Sequence, residues 1–222
     1  MKTTEATLAI LTLTATLHAE TISIGIGPLG SVGGYEIRST DGWAQDIAST
    51  YAPSSRTPLG FLSFCLEKQE EFTFGTQYQF RLSPAAVRGG TFTTDPIAVG
   101  TGYLYSLFAT GNLPGYAADA ASTAALQNTI WWLEGEQLYA PGPFDGLLTA
   151  NFITLSAAAG DSYNGNTAAS YGVSAINVGT PPLYPGQDQL AYQVPEAGGL
   201  ELAATVAVLM LGIILVRVKG TK

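Results

Sequence analysis

The chain has 222 residues, with 9 Lys and Arg, 17 Asp and Glu and one His, for a formal charge of −8. That length allows one domain of ordinary size or two small ones. Hydrophobic residues make up 46% and charged ones 12%, which excludes disorder driven by charge repulsion. Between residues 20 and 196 the basic side chains are Arg38, Arg56, Lys68, Arg81 and Arg88, too few and too scattered for a phosphate-binding stripe, which argues against nucleic acid as a partner.

Residues 1–19 read as a secretory signal. Lys2 gives the positive start, residues 6–17 are mostly apolar, and Leu17-His18-Ala19 puts a small residue at a cleavage point. Cleavage after Ala19 would remove His18, the one histidine. A mature chain without imidazole has no Ser-His-Asp or Cys-His catalysis and no His-ligated metal.

Residues 20–193 form one candidate extracytoplasmic domain, with no linker and no internal repeat. Short strands are expected at 22–26, Tyr35–Ser39, 61–66 and 171–178. Residues 71–82 alternate strictly, with Phe72, Phe74, Tyr78, Phe80 and Leu82 on one face and Thr73, Gln77, Gln79 and Arg81 on the other. That pattern predicts a half-buried strand, or two with a break at Gly75. Asp95-Pro96 has the form of an N-cap and first turn, with Tyr103, Leu104, Leu107 and Phe108 following at helical spacing up to Gly111. A second helix is expected over 119–139, ending before Pro141-Gly142-Pro143, with Leu126, Ile130 and Leu133 as its apolar stripe. Asn164-Gly165 marks a turn. Strands, then helices, then strands predict an α+β domain dominated by antiparallel sheet, with two central helices.

Residues 202–216 are uncharged and apolar, and Arg217, Lys219 and Lys222 follow. Fifteen helical residues span roughly 22 Å, against roughly 30 Å of hydrocarbon. Leu200 and its neighbours Ala197, Gly198 and Gly199 extend the run, so residues 200–216 are expected to cross a membrane, with the basic tail cytoplasmic. Just before it stands Val194-Pro195-Glu196-Ala197-Gly198. Short Pro-containing motif, apolar helix and basic tail, in that order, resemble the PEP-CTERM class of bacterial sorting signals, with Ala197 in place of the usual second proline. The resemblance covers residues 194–222. It implies an exosortase-type processing enzyme as partner, a membrane anchor before processing, and a mature protein at the cell surface or released.

Cys65 is the one cysteine, so it has no intramolecular disulfide partner. One reading is a small buried hydrophobe in a strand, since free Cys is among the most buried residue types. The other comes from its surroundings. Phe64-Cys65-Leu66, with Leu126-Gln127-Asn128-Thr129-Ile130-Trp131 in the second helix, resembles the thioester domain of bacterial surface adhesins. There, an aromatic-Cys-aliphatic motif on a strand accompanies a Thr-Gln-x-Ala-Ile-Trp pattern, and a Cys and a Gln join with loss of ammonia. Cys65, Gln127, Ile130 and Trp131 match; Leu126 and Thr129 depart from it. The resemblance implies a Cys65–Gln127 thioester that captures a nucleophile on the target. On a helix, Gln127 and Trp131 stand one turn apart, with Thr123 and Glu134 on the same line, so Trp131, beside Ile130, is expected to shield the bond from water.

Other candidates are weaker. Glu67, Glu70 and Glu71 read as a solvated strand end, and Glu134 and Glu136, two apart, do not share a helix face as paired acids would. Asp41, Asp46, Asp161 and Asp188 lack calcium-loop spacing, and no phosphate loop is present, so neither metal nor cofactor is expected. The expectation is therefore a non-enzymatic exported surface protein. It is either an adhesin acting through the thioester or a non-covalent component of the envelope or extracellular matrix with a buried Cys65.

Overall fold

The computed structural model describes residues 21–28, 33–39, 56–57, 60–87, 95–179 and 186–193. The expected signal segment 1–19, the sorting motif Val194 to Gly198 and the apolar stretch 200–216 lie outside the described residues. Among the described residues, no helix is long and apolar enough to cross a membrane.

The molecule is mixed α+β, built on an antiparallel sheet. In chain order its elements are β1 (Thr21–Gly25), β2 (Tyr35–Ser39), β3 (Arg56–Thr57), β4 (Gly60–Ser63), β5 (Gln77–Ser83), β6 (Ala85–Ala86) and β7 (Asp95–Pro96). Next come helices α1 (Val99–Ala109), α2 (Ala120–Leu133), α3 (Asp145–Phe152) and α4 (Leu155–Ala158), a 3₁₀ turn (Ala168–Tyr171), and strands β8 (Val173–Val178) and β9 (Gly186–Tyr192). Seven strands form one sheet in the order β3-β4-β2-β1-β5-β8-β9, and β6 and β7 pair separately. Beyond β4 the chain reaches Cys65, which pairs with Gln189 of β9. The sheet therefore curls back on itself, and Cys65 stands at the seam.

Period-two alternation divides the strand side chains between two cores. Ile22, Ile24, Tyr35, Ile37, Phe61, Cys65, Ile176, Val178 and Ala191 point into one cluster, joined by Tyr78, Phe80 and Leu82. Leu62, Phe64, Leu66, Val173, Ala175 and Leu190 point the other way, against Leu104, Tyr105, Phe108, Leu126, Ile130 and Leu133 of the helices. Tyr105 fastens α1 to the seam, donating from its hydroxyl to the carbonyls of Leu62 at 3.0 Å and Leu190 at 3.1 Å.

Several expectations meet the structure closely. β2 spans the residues expected of it and β8 lies within its expected range, while β1 and β4 overlap theirs but each start one residue earlier. In β5, Tyr78, Phe80 and Leu82 are half-buried and alternate with exposed Gln77, Gln79 and Arg81. The break at Gly75 is a turn that puts Phe72 and Phe74 outside the strand. Asn164 and Gly165 both take positive φ in a tight turn closed by reciprocal bonds between Tyr163 and Asn166.

Both helix boundaries need correction. Asp95-Pro96 does not start a helix; it is β7, and α1 begins at Val99. The capping role expected of Asp95 falls to Glu134 of the neighbouring helix, whose carboxylate accepts from the Ala98 N–H at 3.2 Å and from the Thr101 hydroxyl. The second helix begins at the expected place, with Asp119 as its N-cap: its side chain accepts from Ser122 N–H at 2.7 Å in a capping box. It stops at Leu133 rather than 139. Gly135, at φ +78°, turns the chain, and Glu136 N–H bonds the carbonyl of Trp131 at 2.8 Å, closing a Schellman end.

Candidate functional site

The site grows from the geometry of one strand pair. Leu66 N–H donates to the Asp188 carbonyl at 3.0 Å, and Leu190 N–H to the Phe64 carbonyl at 3.1 Å. These two bonds bracket Cys65 and Gln189 and make them a non-hydrogen-bonded antiparallel pair, the kind whose side chains come closest. Gln189 accordingly reaches Cys65: its Nε2 donates to Sγ at 3.2 Å. Its Oε1 is buried with no hydrogen-bond partner. Both residues are 0% exposed.

The same pairing turns the N–H and carbonyl of Cys65 away from β9. Gln127 receives them, accepting from the N–H at 2.9 Å and donating to the carbonyl at 2.8 Å. α2 carries Gln127 to that point with Leu126 and Ile130 packed beside it. Gly33 lies directly against it, at φ +78°; a Cβ there would stand 2.9 Å from Gln127 Cβ and 3.0 Å from the Phe64 ring.

Cys65 and Gln127 are thus brought together, with Gln127 on the backbone of Cys65. Trp131, half-buried, packs against the cluster that contains Cys65. The Lys68 ammonium sits 5.2 Å from its ring centroid, and its Nε1 is buried with no hydrogen-bond partner. Ile130 is fully buried in the other cluster, beside Leu126 and Phe64. Thr123 is buried with its hydroxyl 2.9 Å from that of Tyr116, while Glu134 turns to the start of α1.

Burial pushes the Cys65 thiol far above its ordinary value; the Gln189 bond offsets this in part, and the charge of Glu67 adds to it. The thiol is therefore neutral at physiological pH. Tyr35 is raised by burial first and then by the nearby Cys65. Asp188, beside Gln189, is pushed up to about 6 by burial. It accepts from Val178 N–H at 3.0 Å, Val87 N–H at 2.8 Å and Asn177 Nδ2 at 2.7 Å, which fixes β9 in place.

Glu67 corrects the reading of a solvated acidic run. Lys68 and Glu71 are exposed, but Glu67 is only 2% exposed. Its carboxyl turns inward to accept from Asp188 N–H at 2.9 Å, while its backbone carbonyl accepts from the Gln187 side chain.

Sequence reasoning missed Gln189 altogether. β9 buries Gln187, Asp188 and Gln189, so it shows no apolar alternation. The available signal was three polar residues running into Leu190, Ala191 and Tyr192. Among the described residues, no group of His, Cys, Asp and Glu is arranged to hold a metal ion. What the site offers chemically is a neutral thiol that accepts a hydrogen bond from a carboxamide, both sealed from water. No protein-family model matches the chain, and neither curated proteins nor solved structures provide a match.

Proposed function

We propose that Cys65 and Gln189 close an internal thioester, and that this bond lets an exported surface protein capture a nucleophile on its target. In closure, Sγ bonds to Cδ of Gln189, the Cδ–Nε2 bond breaks, and the thiol proton leaves with the nitrogen as ammonia. In capture, an amine or hydroxyl attacks that carbonyl, an amide or ester forms, and the Cys65 thiol is released. The observation that carries the reading is the Gln189 carboxamide 3.2 Å from Sγ, opposite it in the strand pair. Gln127 then holds the Cys65 backbone instead of supplying the acyl group, and Trp131 closes the site on the side of α2.

The same proposal includes the ends of the chain. The signal over residues 1–19 would export the domain, and residues 200–216 would hold it in the inner membrane. An exosortase-type enzyme would then cut near Val194 to Gly198 and deliver the mature protein to the surface or the medium. Mature chains are expected to begin near Glu20 and to lack the segment after about Val194; surface-extracted protein retaining both ends would count against this.

A second reading is favoured by one observation, the complete burial of a neutral Cys65 thiol. It makes the protein a non-covalent component of the envelope or matrix. Intact mass decides between the two. A thioester leaves the protein lighter than its sequence by one ammonia, and methylamine should add to Gln189 while freeing Cys65. Full sequence mass with Cys65 alkylated after unfolding supports the second reading. A methylamine adduct on Gln127 would instead assign the acyl group to the helix.

A further inference from the structure

Thioester closure moves a proton as well as an acyl group. The Cys65 thiol must lose a proton, and the departing Gln189 nitrogen must gain one. Both side chains are sealed from water, and burial disfavours a free thiolate at Cys65. A group inside the protein must therefore carry the proton.

Glu67 is tied into both paired segments that bear the reacting residues. It lies two residues beyond Cys65, and its Oε2 accepts from the N–H of Asp188, the residue before Gln189, at 2.9 Å. Its own carbonyl accepts from the Gln187 side chain. Its other carboxyl oxygen, Oε1, is buried with no hydrogen-bond partner. A carboxyl kept inside only to tie strands together would be expected to use both oxygens. Glu67 is close enough for its charge to be felt at the Cys65 thiol. Burial, followed by the charges of Asp188 and Glu70, pushes its carboxyl up to about 9, so at neutral pH it holds a proton it can lend.

We propose that Glu67 is the proton-transfer residue of thioester closure, lending its proton to the departing Gln189 nitrogen and recovering one from Cys65 Sγ. The inference rests on the Cys65–Gln189 reading. As Sγ bonds to Cδ, the Cδ–Nε2 bond breaks, ammonia leaves and Glu67 ends as the acid it began as; no oxidant or reductant is needed. When an amine opens the bond the steps run backwards. Glu67 relays the amine's proton to the sulfur, which leaves as a thiol.

The test compares full-length wild type with Glu67→Gln and Glu67→Asp. Gln keeps the size of the side chain and can still accept from Asp188 N–H, but it cannot relay a proton. Ammonia loss is followed by intact mass after a pulse of synthesis, and opening is followed by methylamine incorporation. Glu67→Gln should melt like wild type yet close about 100-fold more slowly, the scale of general acid–base assistance. Any closed fraction should open more slowly by a similar factor. Glu67→Asp, with the acid drawn back by one methylene, should fall between the two. Wild-type rates in Glu67→Gln would overturn the role; if that variant does not fold, wild-type rates in Glu67→Asp would do so. A mass deficit in wild type and Glu67→Gln alike, reached at equal rates, removes only Glu67. No deficit in wild type removes the thioester itself.

Discussion

Gln127 donates to the carbonyl of Cys65 at 2.8 Å and accepts from its N–H at 2.9 Å, so one helix side chain stands where a neighbouring strand would. β2 pairs with β4 only as far as Ser63, and among the described residues no strand serves Cys65 on that side. The helix completes the ladder at the point where the sheet closes.

This arrangement separates two glutamines by effect. Gln127→Ala orphans two buried backbone groups, at about 1–3 kcal/mol each, so a loss of roughly 2–6 kcal/mol is expected in denaturant or thermal unfolding. Gln189→Leu keeps the volume and abolishes the mass deficit; measured against wild type before closure, whose amide oxygen lacks a partner, its stability should stay within about 1 kcal/mol. A stable Gln127→Ala protein would contradict the role given to the helix side chain.

Trp131 governs water. Its ring packs on the cluster holding Cys65, with Lys68 over its face. Trp131→Ala is expected to let the thioester form but to shorten its life, read as a time-dependent gain of one water with a free thiol. Trp131→Phe, which keeps an apolar face, should decay at an intermediate rate. Decay as slow as wild type in Trp131→Ala would show that something else keeps water out.

What the sequence made legible follows from where side chains face. β2, β5 and the stripe of α2 were readable because one face of each is apolar and the other is not. Cys65 and Gln127 could be picked out because their neighbours Phe64, Leu66, Ile130 and Trp131 form recognisable patterns. β9 and Gln189 were not readable: polar side chains buried by hydrogen bonds look, in sequence, like a loop. Glu67 was misread for the same reason, since a strand-end acid and a buried one differ only in what the fold brings opposite them. The start of α1 was misplaced because its cap, Glu134, comes from another helix.

Gly33 tests how tightly the site is packed. At φ +78° a side chain costs about 1–2 kcal/mol in backbone strain alone. A Cβ would also press within 2.9 Å of Gln127. Gly33→Ala is therefore expected to lower the melting temperature and, by shifting Gln127 and with it Cys65, to slow the appearance of the mass deficit. A Gly33→Ala protein that loses stability but closes at the wild-type rate would show that Gln127 tolerates displacement without moving the sulfur.

Stability should fall as pH rises. Burial pushes Glu134 from its ordinary 4.5 up to about 8, with the Thr101 and Ala98 bonds offsetting it in part. Glu67 moves up to about 9 and Asp188 to about 6. A carboxyl whose folded value is raised binds more protons in the native state than in the unfolded one between the two values. Its contribution is complete below the unfolded value and is lost as pH climbs through the folded one. The melting temperature should therefore decline between about pH 5 and pH 9, the window set by these carboxyls. Glu134→Gln can still accept from the Ala98 N–H but has no proton to lose. Its decline should be shallower than that of wild type, so that the variant gains on wild type at the alkaline end. Parallel declines would mean that Glu134 is already ionised in the folded protein, held by the N-terminus of α1.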